Sequence, residues 1–553
     1  MSLFKLSKEL VLLILEELEP VSLLRFCQAS HLIHSVAASC TALRYRYELA
    51  LCGMRDGPPS NRSPRVRLEQ LLNYKRGWPT LAWSSEDRLR ITPPTILGVT
   101  GRFLYQASEN TLPNGLFQWT LQIYELRSFR SALADPLRHC RFNIPFDIRQ
   151  VAIDPSQDLM VLAELYFPTN NSAITARLHF LNLWTCHQHH RAAQLRFQFH
   201  TDWWGALPPG QRILIQQVVI CGSVVGLSVR LEVEEGEATT ELVLVNWHTS
   251  GPRTRRYSGD LLSFDIINES CLVVVSHPDD EDDEDGSGES VVTTWEKRPD
   301  GLYMNERGKR PPQINVYDIN DAHDPPTPRI RSYELPESWS TVSLMRISPN
   351  SSPRVNAEPT PGAFFYSDPS QRLLVISAEF PPEATPPGCS RNIALVLDES
   401  FLQPPGPGEE IVRWNQWRSR CMIFNLPDRA EGLQAVGRRL VFFENVAEPG
   451  HSTVDSSSRV HMLDLNPYAV DFLQSIVRSP SPWRWNGPWT TITTVVPRRS
   501  TRYIRTSTVE AYNITWIDAT EDSIILYNEC EGQTSIRILT FGPDPRTMIR
   551  SHT

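Results

Sequence analysis

Long apolar runs are missing from this 553-residue chain. The longest near the N-terminus, Leu10 to Leu15, lies between Glu9 and Glu16 and is too short for the core of a secretion signal; no other run approaches bilayer-spanning length. The expectation is a chain that stays in the cytoplasm or nucleus and has no membrane partner. Clustered cysteine is missing too: the ten Cys are scattered from Cys27 to Cys530 with no Cys-x-x-Cys pair, the pattern of reduced, buried thiols. Basic blocks are absent, whereas nucleic-acid binders need a Lys/Arg-rich face to neutralise phosphates, so no nucleic-acid partner is expected. The net charge is −9, and the run from Asp279 to Asp285 alone carries seven negative charges; the rest of the chain is close to neutral.

The chemical signatures of common enzymes are missing as well. There is no phosphate-cradling Gly-x-x-x-x-Gly-Lys-Ser/Thr, no Gly-x-Gly-x-x-Gly, no His-Glu-x-x-His and no Gly-x-Ser-x-Gly. Cys186, His187, His189 and His190 form the one dense group of metal-ligand types. Four tetrahedral ligands are needed for zinc and no second Cys/His pair stands at finger spacing, so a turn is expected there. No catalytic residue, cofactor or metal ligand is assigned. Trp203 with Trp204, Trp414 with Trp417, and Trp483 with Trp485 and Trp489 are either binding-face or core aromatics.

What is present is an ordinary globular composition, 41% hydrophobic and 21% charged, in a chain longer than one compact core usually serves. The first 80 residues have helical periodicity. Ser7 can cap a helix carrying Leu10, Leu13, Ile14 and Leu18, and Pro20 ends its simple continuation. A second helix holds Leu23, Leu24, Phe26 and Cys27, and a third Leu32, Ile33, Val36 and Ala37. Leu43, Tyr47, Ala50, Leu51 and Met54 predict a fourth, and Leu68, Leu71 and Leu72 a fifth.

Past Trp78-Pro79 the texture becomes short, alternating or β-branched runs separated by Pro, Asn, Asp and Gly, the pattern of many short strands. Two signatures recur. The first is a turn followed by a buried strand: Ile153-Asp154-Pro155-Ser156-Gln157-Asp158-Leu159 resembles Ser367-Asp368-Pro369-Ser370-Gln371-Arg372-Leu373. Looser copies begin at Ile267 and Ile517, with weaker hairpin signals at Gly101, Gly222 and Gly437. The second is a strand that ends on Asp or Asn, as at Asn182, Asn246, Asp318 and Asp464. The alternation is similar to divergent WD-repeat propellers and predicts about seven four-stranded blades; a pair of β-sandwiches has the same local grammar. The fold class is thus α+β, an all-α N-terminal module before a large all-β domain. The acidic run opens an expected disordered loop over 279–289, and Pro349 to Pro361 and Pro381 to Pro407 are read as exposed loops.

The stretch from Leu6 to His31 resembles the F-box, with Leu6, Glu9-Leu10, Ile14-Leu15, Leu18, Pro20 and Leu23-Leu24 in the family's pattern; Ser7 replaces its early Pro and Ser22 its customary Asp. Tyr45 to Pro58, with Leu68, Leu71, Tyr74, Trp78, Leu81 and Trp83, is similar to mushroom-type fungal F-box proteins. The resemblance covers about the first 85 residues. It implies domains at 1–42 (F-box), 43–80 (helical linker) and 81–553 (target-binding β domain), a Skp-family adaptor as partner and through it a cullin-RING ubiquitin ligase. Leu6, Leu10, Ile14, Leu15, Pro20, Leu23, Leu24 and Val36 are then the adaptor-contacting or supporting residues. The implied protein is not an enzyme but a substrate-recognition subunit with an unidentified protein target. Two alternatives stand beside it: a scaffold uncoupled from ubiquitination, and a propeller enzyme, which calls for a carboxylate-lined central cleft.

Overall fold

The computed structural model describes residues 6–91, 93–111, 117–131, 138–167, 173–204, 211–233, 239–249, 256–259, 261–277, 296–297, 303–304, 311–319, 330–342, 344–354, 362–382, 390–402, 410–446, 457–466, 498–504, 514–530 and 533–542. The acidic run and Trp483, Trp485 and Trp489 lie outside them.

Five helices come first: α1 (Lys8–Glu17), α2 (Pro20–Ala29), α3 (His31–Ser39), α4 (Thr41–Cys52) and α5 (Pro64–Thr80). Ser7 caps α1, Pro20 occupies the first turn of α2 where its missing N–H costs nothing, and Ser30 caps α3. Helix α4 stops at Cys52 because Gly53 turns left-handed at φ 66°. Met54, expected on that helix, instead begins a short strand, Met54–Asp56.

Most of the remaining strands form seven blades, each a four-stranded antiparallel sheet, with a fifth strand (Glu410–Val412) added parallel to the fourth blade; Glu296–Lys297 and Tyr303–Met304 pair separately, and Phe365–Ser367 pairs with Met54–Asp56. The blades therefore make a seven-bladed β-propeller rather than two sandwiches. Blades 1 to 6 follow chain order. Blade 7 is composite: Ile514–Ala519, Ser523–Cys530 and Gln533–Thr540 come from the C-terminal side, and its outermost strand is Ser85–Ile91, which follows α5.

Blade stacking explains why the second strands read as unbroken apolar runs. In Leu159–Tyr166, Leu159, Val161 and Ala163 pack toward blade 3, while Met160 and Leu162 pack toward blade 1. Val273 and Val275 likewise face one neighbouring core, and Leu272 and Val274 the other. A strand covered on both faces has no need of polar alternation.

Both recurring sequence signatures lie on one side of the ring. The turns between first and second strands fall at Gly101, Asp158, Gly222, Asn268 to Cys271, Gly437 and Ala519 to Ser523, and blade 5 has a long insertion there. Gly101, Asp158, Gly222 and Gly437 share a φ between 55° and 58°, a left-handed position that Gly, and secondarily Asp, adopts at low cost. Asp154 accepts from the Ser156 amide at 3.0 Å and hydroxyl at 2.7 Å; Asp368 does the same for Ser370 at 3.0 and 2.8 Å. The Asp-Pro-Ser-Gln resemblance is thus one turn built twice. Asn182, Asn246 and Asp464 end third strands and accept the amides of Trp184, His248 and Asn466 at 3.1, 3.0 and 3.0 Å.

The Pro-rich stretches differ from expectation. Pro349 to Arg354 is pinned at the ring's centre, with Ser351 donating to Ala435 O at 3.1 Å and Asn350 bridging Ala435. The stretch read as a loop from Pro381 to Pro407 contains Asn392–Asp398, a buried strand of blade 5. Its hydrophobic run Ile393 to Leu397 outweighs the flanking prolines.

Candidate functional site

The blade 5 insertion is a strap. Its strand Phe365–Ser367 pairs with Met54–Asp56, Phe364 N donates to Arg130 O at 2.7 Å, and Ala363 bridges Ser131. Beneath it, α4 and α5 bury Tyr45, Leu49, Leu71, Tyr74, Trp78 and Leu81 against apolar residues of the strap and of blades 6 and 7. Trp78 stacks on Phe541 at 4.3 Å, and the Tyr74 hydroxyl donates to Glu521 O at 2.7 Å. Arg130 ties these parts together. Its guanidinium reaches Asp522 at 2.8 and 3.0 Å, Glu521 at 2.7 Å and Phe365 O at 3.2 Å, all buried.

Helices α1 to α3 stand on α4. Their core is Val11, Leu15, Leu23, Cys27, Ile33, Ala37 and Leu43, and Arg46 on α4 donates to Glu16 O and Leu18 O at the end of α1. The sequence-derived adaptor residues divide three ways. Leu10 and Ile14 are 49% and 38% exposed. Leu6, Pro20 and Val36 are half-buried. Leu15, Leu23 and Leu24 are fully buried, Leu15 and Leu23 in the module core and Leu24 against Ala50 and Leu51; these three support the surface from within. Two exposed apolar residues were not among the candidates: Leu13 at 59% on α1 and Leu32 at 55% on α3. Leu10, Leu13 and Ile14 recur at three and four residues, so they form one stripe. No sequence signal separates Leu32 from its neighbour Ile33; the packing of α3 buries Ile33 and leaves Leu32 outside.

A second candidate site is a cavity of about 770 Å³ at the centre of the ring, walled by the innermost strands and the turns that follow them. Arg130, Arg354 and Arg372 reach it from the strap side. Arg354 pairs with Asp265 at 2.6 Å, and Arg372 with Glu399 at 3.2 Å. On blade 7, Asp518 accepts from the Tyr527 hydroxyl at 2.8 Å, Gln434 at 3.1 Å and the Trp516 indole at 3.4 Å. Burial pushes its carboxyl up to about 7, opposed by the Tyr527 and Trp516 hydrogen bonds. The catalytic alternative calls for a carboxylate-lined opening, and a binding site for cations requires the same.

The remaining candidates resolve toward structure. Trp417 is buried and Trp414 packs against the same core; the side chains of Trp203 and Trp204 lie outside the described residues. Among the described residues, no three His, Cys, Asp or Glu side chains are placed to hold a metal ion, and no helix is long and apolar enough to cross a membrane. His189 instead contacts Gln157 O, in the turn between the first and second strands of its blade, at 3.0 Å.

No family model matches the sequence. No curated protein matches it either. Among solved structures, the WD40 domain of SCAP from fission yeast is similar over 83% of this chain and 95% of that one, at 10% identity and a TM-score of 0.34. The Nup133 β-propeller domain of Vanderwaltozyma polyspora is similar over 82% and 99%, at 10% identity and a TM-score of 0.29. Prolyl oligopeptidase B from Galerina marginata is similar over 79% of this chain but only 46% of its own length, at 9% identity and a TM-score of 0.32. The seven-bladed order itself is read from the strand pairing of this chain, and the chain is a β-propeller protein with an N-terminal helical module.

Proposed function

We propose that this chain is the substrate-recognition subunit of a Skp-cullin-F-box ubiquitin ligase: the N-terminal helices dock the adaptor, and the propeller captures a protein target. One observation carries the reading. The module leaves Leu10, Leu13, Ile14 and Leu32 in water although its own core is only a few residues deep. Covering the exposed part of each such side chain is worth about 1 kcal/mol, so an adaptor groove over the four gains about 4 kcal/mol toward docking, to which polar contacts at its rim would add. The buried Leu15 and Leu23 hold that stripe in shape, and the resemblance to the F-box names the partner. Anchorage of α4 and α5 on blades 6 and 7 keeps the docked adaptor at a fixed attitude to the propeller, which proximity-driven ubiquitin transfer requires.

The test is co-purification of the full chain with a Skp-family adaptor and cullin, beside a Leu10→Asp, Leu13→Asp variant. Both positions are exposed, so the variant keeps its fold. Loss of the adaptor in the variant alone supports the reading, and absence of adaptor and cullin from both preparations overturns it.

A further inference from the structure

We infer that the central cavity binds a basic peptide segment, whose arginine or lysine side chains meet the carboxylates of Asp154, Asp158, Glu269 and Asp518 while one of its carbonyls accepts from Arg372. This deepens the proposed function on the target side; it rests on the propeller as the capture domain and not on adaptor docking.

Charge selects the ligand. Seven carboxylates line the cavity against five guanidiniums. Asp265, Glu521 and Asp522 are neutralised by Arg354 and Arg130. Arg102 and Arg372 are engaged by Glu125 and Glu399, which do not line it. Among the described residues Asp154, Asp158, Glu269 and Asp518 therefore have no ammonium or guanidinium partner, and only Arg191 lacks a carboxylate. They come from blades 2, 4 and 7, and no three converge to hold a metal ion, so the fitting cation is an extended organic one. A volume of about 770 Å³ accommodates several residues of chain.

A second observation is independent of the charge balance. Arg372 is 2% exposed and lines the cavity, yet its Nε has no hydrogen-bond acceptor; Ser351 Oγ and Asp158 Oδ1, also on the wall, are buried without partners. Leaving such atoms unpaired costs about 1–3 kcal/mol each. An anion would satisfy Arg372 but meet the excess of carboxylates, whereas a neutral peptide carbonyl would not.

The experiment is fluorescence anisotropy on the full chain without adaptor, using a labelled peptide of alternating arginine and glycine and a glutamate-glycine counterpart. The arginine peptide is expected to bind saturably and the glutamate peptide not. Asp158→Asn and Asp518→Asn should each weaken binding about tenfold, the worth of one charge-assisted hydrogen bond. Both are isosteric, and Asn tolerates the φ of 58° at position 158 as well as Asp does, so each variant is checked for an unchanged melt. Glu109→Gln, exposed and outside the cavity, should bind as the parent does. Failure of the arginine peptide to bind, binding of the glutamate peptide, or equal losses at Glu109 and in the cavity would overturn the inference. Peptide binding without adaptor binding would keep the cavity site and remove the ligase reading.

Discussion

Replacing Arg130 by Met should be among the most damaging single changes in the chain. The guanidinium is 8% exposed and faces Asp522 and Glu521, themselves 2% and 7% exposed. Met preserves most of the packed volume, so the loss is electrostatic. Glu521 would keep the Ser367 amide, which it accepts at 2.9 Å, but the Asp522 carboxylate would be left with no donor. Removing one partner of a buried pair costs about 3–5 kcal/mol. That is a large part of a typical stability of about 5–15 kcal/mol. The assay is urea unfolding followed by tryptophan fluorescence, comparing midpoints at constant slope. Asp522→Asn placed on the Arg130→Met background should restore part of the loss, giving a coupling above about 1 kcal/mol. A single variant within about 1 kcal/mol of the parent, or no rescue, would show that the cluster does not join strap, module and ring as described.

Leu15→Ala, at a site with no exposure, should destabilise the helical module by about 2–4 kcal/mol, seen as faster proteolysis within the first 45 residues, while Leu13→Ala stays within about 0.5 kcal/mol of the parent. Asp518 holds its proton to about 7 in the fold but only to about 4 when unfolded, so stability should fall as pH rises between those values. The full effect would be about 4 kcal/mol, and partial solvation reduces it to about 1–2 kcal/mol; Asp518→Asn should abolish this slope, measured by urea midpoints at pH 5 and pH 8. Gly222→Ala should cost more than Gly101→Ala in thermal melts. Both have φ near 55°, but a Cβ at 222 would stand 1.9 Å from the Glu269 carboxylate that accepts the Ser223 amide, whereas at 101 the nearest atom is 3.8 Å away.

Much of the propeller was legible because its turns are chemically particular. A left-handed residue is needed at the same point of several blades, and Gly101, Asp158, Gly222 and Gly437 advertise it. The apolar runs followed from burial on both faces. Ring closure was not legible: Ser85–Ile91 reads as an ordinary first strand, and nothing local reveals a partner at Gln533–Thr540. The strap was hidden for a related reason, since prolines that usually mark exposed loops here flank a segment held by distant backbone. The exposed apolar stripe was half legible. Helical spacing found Leu10 and Ile14, but deciding between inward and outward faces at Leu13, Leu15 and Leu32 required the packed module. The cavity left no sequence signal, because Asp154, Glu269 and Asp518 come to line one wall only when the blades close into a circle.

The composite seventh blade has a consequence for biosynthesis. Ser85–Ile91 leaves the ribosome about 440 residues ahead of its ladder partner, Gln533–Thr540. During synthesis the helical module can finish its α1–α3 core while the ring is still open, but α5 and the strap cannot seat until blade 7 exists. Closing a loop of that length is slow and exposes unpaired strand edges in the interim. A nascent chain stalled before residue 533 would thus carry a folded helical module with Leu10, Leu13 and Ile14 exposed above a ring still open at blade 7.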